Sequence, residues 1–235
     1  MTKRGVAKPS KPLTRRRRLL VTFVSGAVAL ASVGVWIVYG TSAFAVESVV
    51  VRGSEFTGSA KVRQAAAIAE GTAVAAIDTD AAARRVSAIP SVEKAAVDRD
   101  WPHGVVITIT ERTPRLAVPK GEKFTLVDDA GVAFRTVSKQ PPKTVTAEVD
   151  HPERDDAATM AVLEVLENLS QRLENELVSV KAPTPSRVEL TLRESRTVFW
   201  GDSSDSARKA EVATALLDRS EKHLDVSAPD VPTVS

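Results

Sequence analysis

Three histidines, His103, His151 and His223, and the absence of any cysteine limit the chemistry open to this 235-residue chain. A metal site asks for ligands at fixed spacing, such as two histidines at i and i+4 of one helix, and no HExxH or comparable pair is present. Without cysteine there is no disulfide, thiolate metal site, cysteine nucleophile or lipid-modified cysteine. Asp128 and Asp129 are adjacent carboxylates, but neighbours in a strand or turn point apart. A side-chain-capped turn before Gly131 explains them more simply. No G-x-S-x-G elbow presents a serine, although spacing alone does not exclude a Ser-His-Asp arrangement. No glycine-rich phosphate cradle occurs. The reading is of a chain with no catalytic residue, no cofactor, no metal and no small-molecule substrate.

Charge is distributed unevenly. Of the 32 Lys and Arg, eight fall in residues 1–46, which hold no acid, so the remainder sets 24 bases against 30 acids. The outer part would repel phosphate, and nucleic-acid binding is not expected. Residues 1–18 read as a basic cytoplasmic tail, its first 14 residues without periodicity and disordered by composition.

Residues 19–39, LLVTFVSGAVALASVGVWIVY, carry no charge. At 1.5 Å per residue they match the roughly 30 Å hydrocarbon core of a bilayer. Trp36 and Tyr39 stand near the far end, where amphipathic rings favour the interface, and Arg15 to Arg18 flank the near end. A competing reading is a signal peptide cleaved after Ala43-Phe44-Ala45. The apolar run exceeds the roughly 7–15 residues of a usual h-region, which favours an uncleaved anchor.

Beyond the span, Val46–Phe56 reads as a strand ending at Gly53. Ser59–Ala69 reads as a helix with Ser59 as its N-cap and Gly71 beyond its end, and Asp78–Ile89 as a second helix stopped by Pro90. Strands follow at Val92–Asp98 and Val105–Glu111, giving β-α-α-β-β over residues 46–114, with both helices able to cover one sheet face. A second unit, residues 115–230, opens with a hairpin at Phe124–Arg135. It continues with a helix at Asp155–Leu169, strands at Leu177–Val180, Val188–Leu192 and Thr197–Trp200, a helix at Ser204–Leu217 and a short last strand at His223–Pro229. The fold class is α+β: one N-terminal transmembrane helix, a β-α-α-β-β domain, and a mixed, mainly antiparallel β-rich domain. Trp101 and Pro102 fall in a turn, where Trp101 either caps the small core or serves as a contact residue. Glu111 and Arg112 end a strand, where charge-assisted bonds would fix how the domains meet.

Ile89-Pro90, Val92, Ala95 or Ala96, Val97, Arg99, Trp101-Pro102, a Val/Ile strand, then Glu111-Arg112 and Pro114 resemble the signature of the FtsQ/DivIB family of bacterial cell-division proteins. Val51 with Gly53, Gly71 and Asp78 fit upstream. Leu126-Val127-Asp128 with Gly131 and Phe134 fits downstream, as do Val198, Trp200-Gly201, Lys209, Leu224-Asp225-Val226 and Pro229. The resemblance covers residues 46–229. Ala73 departs from it, standing where a larger apolar residue is common. The chain also runs only briefly past its last strand, which leaves contacts beyond that strand open.

The resemblance implies a polypeptide-transport-associated (POTRA) domain and a second β-rich domain in a non-catalytic scaffold linking early and late division proteins. It implies bitopic coiled-coil partners of the FtsB/DivIC and FtsL type, with the septal peptidoglycan synthase complex as a further candidate. It implies residence in the cell membrane as a single-pass type II protein enriched at the septum. It also points to the last strand, His223, Leu224, Asp225, Val226 and Ser227, as the partner-binding edge, where the alternative is a strand that only completes the sheet. A membrane-anchored envelope enzyme and a surface adhesion or sensor module are the competing functional classes.

The charge asymmetry sets the orientation of the span. Protease added to spheroplasts should remove an epitope fused after Ser235 and spare one fused before Thr2. The reverse pattern would invert the topology.

Overall fold

The computed structural model describes residues 15–40 and 42–234, with side chains of the first helix described at 20, 22–36 and 39. The tail at 1–14 lies outside the described residues. Helix α1, Arg15–Gly40, is continuous, and Phe23, Leu30, Val33 and Trp36 are all exposed along it. Among the described residues no helix is long and apolar enough to cross a membrane. The reading of 19–39 as a span therefore rests on the sequence. The chain after it divides into two compact units.

The first unit is built on strand β1 (Ser48–Arg52), helices α2 (Ser59–Ala66) and α3 (Thr79–Ser87), and strands β2 (Val92–Asp100) and β3 (Gly104–Glu111), of which Ser87, the start of β2 at Val92–Lys94 and the end of β3 at Thr110–Glu111 belong to the second unit. The sheet order is β1-β3-β2, with β1 parallel to the central β3 and Val49 facing Val105. Val105, Ile107 and Ile109 alternate onto one face, as the two-residue period of a strand requires, and are buried. Val62 and Ala66 of α2 and Ala82 and Val86 of α3 are buried as well, the pattern of helices covering one face of a sheet. Asp78 caps α3 by accepting the Ala81 N–H at 2.8 Å, so an aspartate does start that helix. Ser59 does not cap α2. Gly58 holds the N-cap position at φ 85° with no side-chain bond, and the helix stops early because Ala67 turns left-handed at φ 49°. Arg99 of β2 reaches the carbonyls of Val74 (3.0 Å) and Ile77 (2.7 Å), closing the turn between the helices.

Trp101 does not cap the core. Its side chain is 50% exposed, and its ring stacks edge-on against Phe44 at 5.9 Å. Truncating a fully buried tryptophan costs about 3–5 kcal/mol. Half-exposure brings the Trp101→Ala cost down to roughly half of that.

The second unit holds a nine-stranded sheet of order β12-β11-β10-β9-β8-β7-β4-β5-β6. Its strands are β4 (Leu116–Lys120), β5 (Lys123–Val127), β6 (Ala133–Val137), β7 (Val145–Glu148), β8 (Leu177–Lys181), β9 (Val188–Leu192), β10 (Thr197–Gly201), β11 (His223–Asp225) and β12 (Thr233–Val234). Five neighbouring pairs are antiparallel and three parallel, so the antiparallel bias holds. Helices α4 (Ala157–Asn168), α5 (Gln171–Glu176) and α6 (Ser206–Leu216) contribute Val162, Leu166, Leu173 and Ala213 to a core with Leu116, Leu190 and Trp200. Asp156 caps α4 through the Thr159 N–H (2.7 Å), and Ser170 caps α5. Three strands show no pattern in the sequence: β4, β7 and β12 are short, and β4 contains Pro119. Helix α5 is likewise too short for its apolar period to show.

Gly53 ends β1 at φ 78°, and a Cβ there would collide with the Ile109 carbonyl oxygen. Gly53→Ala combines a left-handed backbone with that clash. It should lower stability by at least about 1 kcal/mol, read as a lower denaturant midpoint of the full chain in detergent; an unchanged midpoint would show that the turn relaxes freely.

Candidate partner-binding surface

Two groups of the signature residues meet inside the second unit. Asp128, almost fully buried after β5, accepts the Ala130 and Val132 N–H groups through Oδ1 at 3.0 and 2.8 Å. That is the capped turn expected before Gly131, whose φ is 77°. The other oxygen of Asp128 takes the Arg112 guanidinium at 2.5 Å, and Arg112 also donates to the Pro90 carbonyl at 3.0 Å. Glu111 accepts the backbone N–H groups of Phe56 (3.1 Å) and Thr57 (2.7 Å). Burial pushes the Glu111 carboxyl up, but the bonds from Thr57 and Phe56 outweigh it and hold the group below its ordinary value. Every partner of Glu111 and Arg112 named here belongs to the second unit, so these bonds knit that unit together. Val92 is fully buried and Pro90 offers its carbonyl, while Pro114 is partly covered before β4. Gly53, Arg99, Trp101 and Pro102 all lie in the first unit.

The second group stands at the terminal end of the nine-stranded sheet. β11 pairs parallel with β10, Val198 facing Leu224, and the Val226 N–H extends this by donating to the Phe199 carbonyl at 3.0 Å. β11 also pairs antiparallel with β12, Leu224 facing Val234 and Asp225 facing Thr233. The expectation that His223 to Ser227 form the free edge is thereby corrected: the two-residue strand Thr233–Val234 covers that edge. The signal was a lone β-branched pair after Pro229 and Pro232, too short to register as a strand. Leu224, 2% exposed, and Val226 point into the core, while His223, Asp225 and Ser227 remain at least partly exposed. Asp225 accepts from the Ser227 N–H (2.9 Å) and hydroxyl (2.7 Å), closing the strand with a turn.

The open face of this end follows from the pleat. Glu189, Phe199, Asp225 and Thr233 lie across four strands in one row, with Thr197 and His223 beside it, and these side chains line a shallow groove of about 400 Å³. Thr197 Oγ1 and His223 Nδ1 share a hydrogen bond of 2.8 Å. Half-buried Phe199 is the one aromatic in the groove. Beneath it, Trp200 is fully enclosed and donates to Ser206 Oγ at 3.1 Å. Gly201 follows at φ 77°, where a Cβ would stand 2.9 Å from Ser227 Cβ, so only glycine lets the segment after β11 pass. Lys209 of α6 is 1% exposed and gives its ammonium to the Asp202 carbonyl and carboxylate, each at 2.9 Å. The arrangement offers shape, backbone and a few polar groups. Among the described residues no cluster of His, Asp or Glu is placed to hold a metal.

Comparison with known proteins agrees with this architecture. Residues 44–112 match the family model described as POTRA domain, FtsQ-type, and residues 117–231 match that described as Cell division protein FtsQ/DivIB, C-terminal. The chain is 38% identical over 234 residues to a protein named Cell division protein FtsQ from Streptomyces bingchenggensis, covering 95% of this chain and 88% of that one. A protein of the same name from Streptomyces venezuelae is 36% identical, covering 97% and 90%, and one from Streptomyces coelicolor is 34% identical, covering 94% and 89%.

Hydrogen bonds from Ser204 and Lys209 hold the Asp202 carboxyl down at about 2. Its unfolded value is about 3.9. A carboxylate depressed in the folded state stabilises above the unfolded value and loses that contribution as pH falls through the folded one. Asp202→Ala should therefore destabilise at pH 7, by about 1–3 kcal/mol for leaving a buried ammonium short of a partner. The gap to wild type should narrow between about pH 4 and pH 2. A gap independent of pH would remove Asp202 from the ion pair.

Proposed function

The chain belongs to the FtsQ/DivIB family of bacterial cell-division proteins, and from that premise we propose that its outer units assemble division proteins at the septum without performing chemistry. The observation that supports this most is the terminal end of the nine-stranded sheet, where β12 leaves backbone groups facing outward beside a groove of mixed polarity. A strand edge recognises another chain through main-chain hydrogen bonds, and alternate side chains supply selectivity. The partner strand adds at β12, reading the row of Phe199, Asp225 and Thr233, with His223 and Ser227 at its margin. Leu224 and Val226 support this edge from the core. The partners are bitopic coiled-coil division proteins of the FtsB/DivIC and FtsL type, with the septal peptidoglycan synthase complex beyond them.

Residues 19–39 anchor the chain in the cell membrane as a single-pass type II protein, the tail cytoplasmic and both units outside. The apolar character of α1 on every described face supports this. A helix apolar all round has no solvent-facing stripe, and no protein surface covers these side chains. The domains proposed from the sequence, 46–114 and 115–230, differ from the compact units in that 55–57, 87–94 and 110–114 pack with the second unit.

Leu224→Pro would test the core rather than the edge, because Leu224 is buried. Thr233→Pro removes a donor from β12 itself. Full-length Thr233→Pro protein in detergent should lose at least tenfold in affinity for the partner's outer domain, with a nearly unchanged unfolding midpoint. In cells it should still reach the septum but fail to retain that partner. Wild-type binding by the folded variant would move the interface to the exposed side of α6, around Arg208 and Glu211. A tagged wild-type copy spread evenly round the cell would sink the scaffold reading itself.

A further inference from the structure

We propose that the turn between β2 and β3, carrying Trp101 and backed by Phe44, rests in the interfacial zone of the lipid bilayer and holds the first unit against the membrane. This rests on the reading of residues 19–39 as the anchor. Chain length sets the first limit. Helix α1 ends at Gly40, and Phe44 closes a 3₁₀ turn at Ser42–Phe44. Two virtual bonds of 3.8 Å and two 3₁₀ rises of about 2 Å keep the Phe44 Cα within roughly 12 Å of the helix end. The interfacial layer on each side of the hydrocarbon core is itself roughly 5–8 Å deep. Phe44 therefore stands no farther out than just beyond the headgroups once Tyr39 sits at the hydrocarbon boundary, within reach of the interfacial layer.

Trp101 is bound to that position. Its ring meets Phe44 edge-on at 5.9 Å. The turn is fastened to the same segment by the backbone: the His103 carbonyl accepts the Glu47 N–H at 2.9 Å, and His103 Nδ1 lies 3.3 Å from the Ala45 carbonyl. Ala45 and Val46, both buried, are in turn pinned to Ala73 and Thr72. The turn thus cannot swing away from the end of the anchor without breaking the first unit. What it presents there is a half-exposed indole next to Pro102, and tryptophan is the residue that gains most from a layer apolar at one end and wet at the other.

Charge argues for the interface and against deeper entry. Glu47 is largely exposed, 3.9 Å from the His103 ring, and Asp100 is exposed just before Trp101. Arg99 is engaged by the carbonyls of Val74 and Ile77. The turn offers no cationic patch for anionic headgroups, so its attachment draws on the aromatic side chains and is indifferent to lipid charge.

Short-range quenching by brominated lipid reads this directly. The full chain is reconstituted in nanodiscs of phosphatidylcholine brominated near the headgroup end of its acyl chains. Trp36→Phe leaves Trp101 and Trp200 as emitters, and Trp200 is enclosed by protein and out of lipid contact. The Trp101 share of emission should fall at least twofold against unbrominated lipid, equally with or without added phosphatidylglycerol, and W36F/W101F should show no quenching. Absence of quenching in W36F overturns the proposal. The W101F protein, which keeps Trp36, separates this from the anchor itself: Trp36 quenched while Trp101 is not leaves the span standing and removes only the docking turn. Trp36 and Trp101 both unquenched removes the span, and the proposal with it.

Discussion

Short helices leave carbonyls without partners at their C-terminal ends, and a protein with little aromatic mass has few ways to hide them. Here arginines answer that constraint repeatedly. Arg85 reaches the Ala66 carbonyl at the end of α2, and Arg99 takes those of Val74 and Ile77. Arg115 takes Leu166 near the end of α4 while pairing with Glu174, and Arg196 takes Leu217 and Arg219 beyond α6. Arg112 does the same for Pro90 before β2. The planar, always-charged fork suits two acceptors at once, which a lysine could not match. Arg85, Arg99, Arg112, Arg115 and Arg196 are thus structural, each closing a helix end or turn.

Legibility in the sequence followed the length of each element and the range of each contact. The β-α-α-β-β order was readable because each element there is long enough to display its period, as in the alternation of Val105, Ile107 and Ile109. The turn at Asp128 was readable from local chemistry, since an aspartate that accepts the N–H groups two and four residues on needs no tertiary context. The partners of Arg99 and Arg112 were not readable. Both lie about twenty residues away along the chain, and a carbonyl has no sequence signature. The exposure of Trp101 was likewise hidden, because whether an aromatic in a turn faces inward depends on Phe44, 57 residues earlier and read from the sequence only within the alternative cleavage motif Ala43-Phe44-Ala45.

The terminal edge was misread for a related reason. A strand of two residues buries almost nothing by itself and has no pattern. Thr233–Val234 exists because β11 already presents an ordered ladder for it to join. β11 in turn depends on β10, whose Trp200 and Val198 are fixed in the core, and on Gly201, which lets Ser227 pass close. Order at this end of the sheet is handed outward strand by strand from Trp200. An edge assembled in this way is progressively less secured by its own side chains, and main-chain pairing from another protein makes the largest difference there.

Carboxylates in the outer units are used in the same way as the arginines. Asp128, Asp202 and Glu111 each accept hydrogen bonds from backbone amides, an arginine or Lys209. A general acid or base must have a proton position free to exchange with substrate. The bonds that hold Asp202 and Glu111 below their ordinary pKa values favour the ionised form of each, spent on holding structure. Polar side chains in the outer units are used to fix backbone, and fixed backbone at an open sheet edge is what recognition of a partner strand requires.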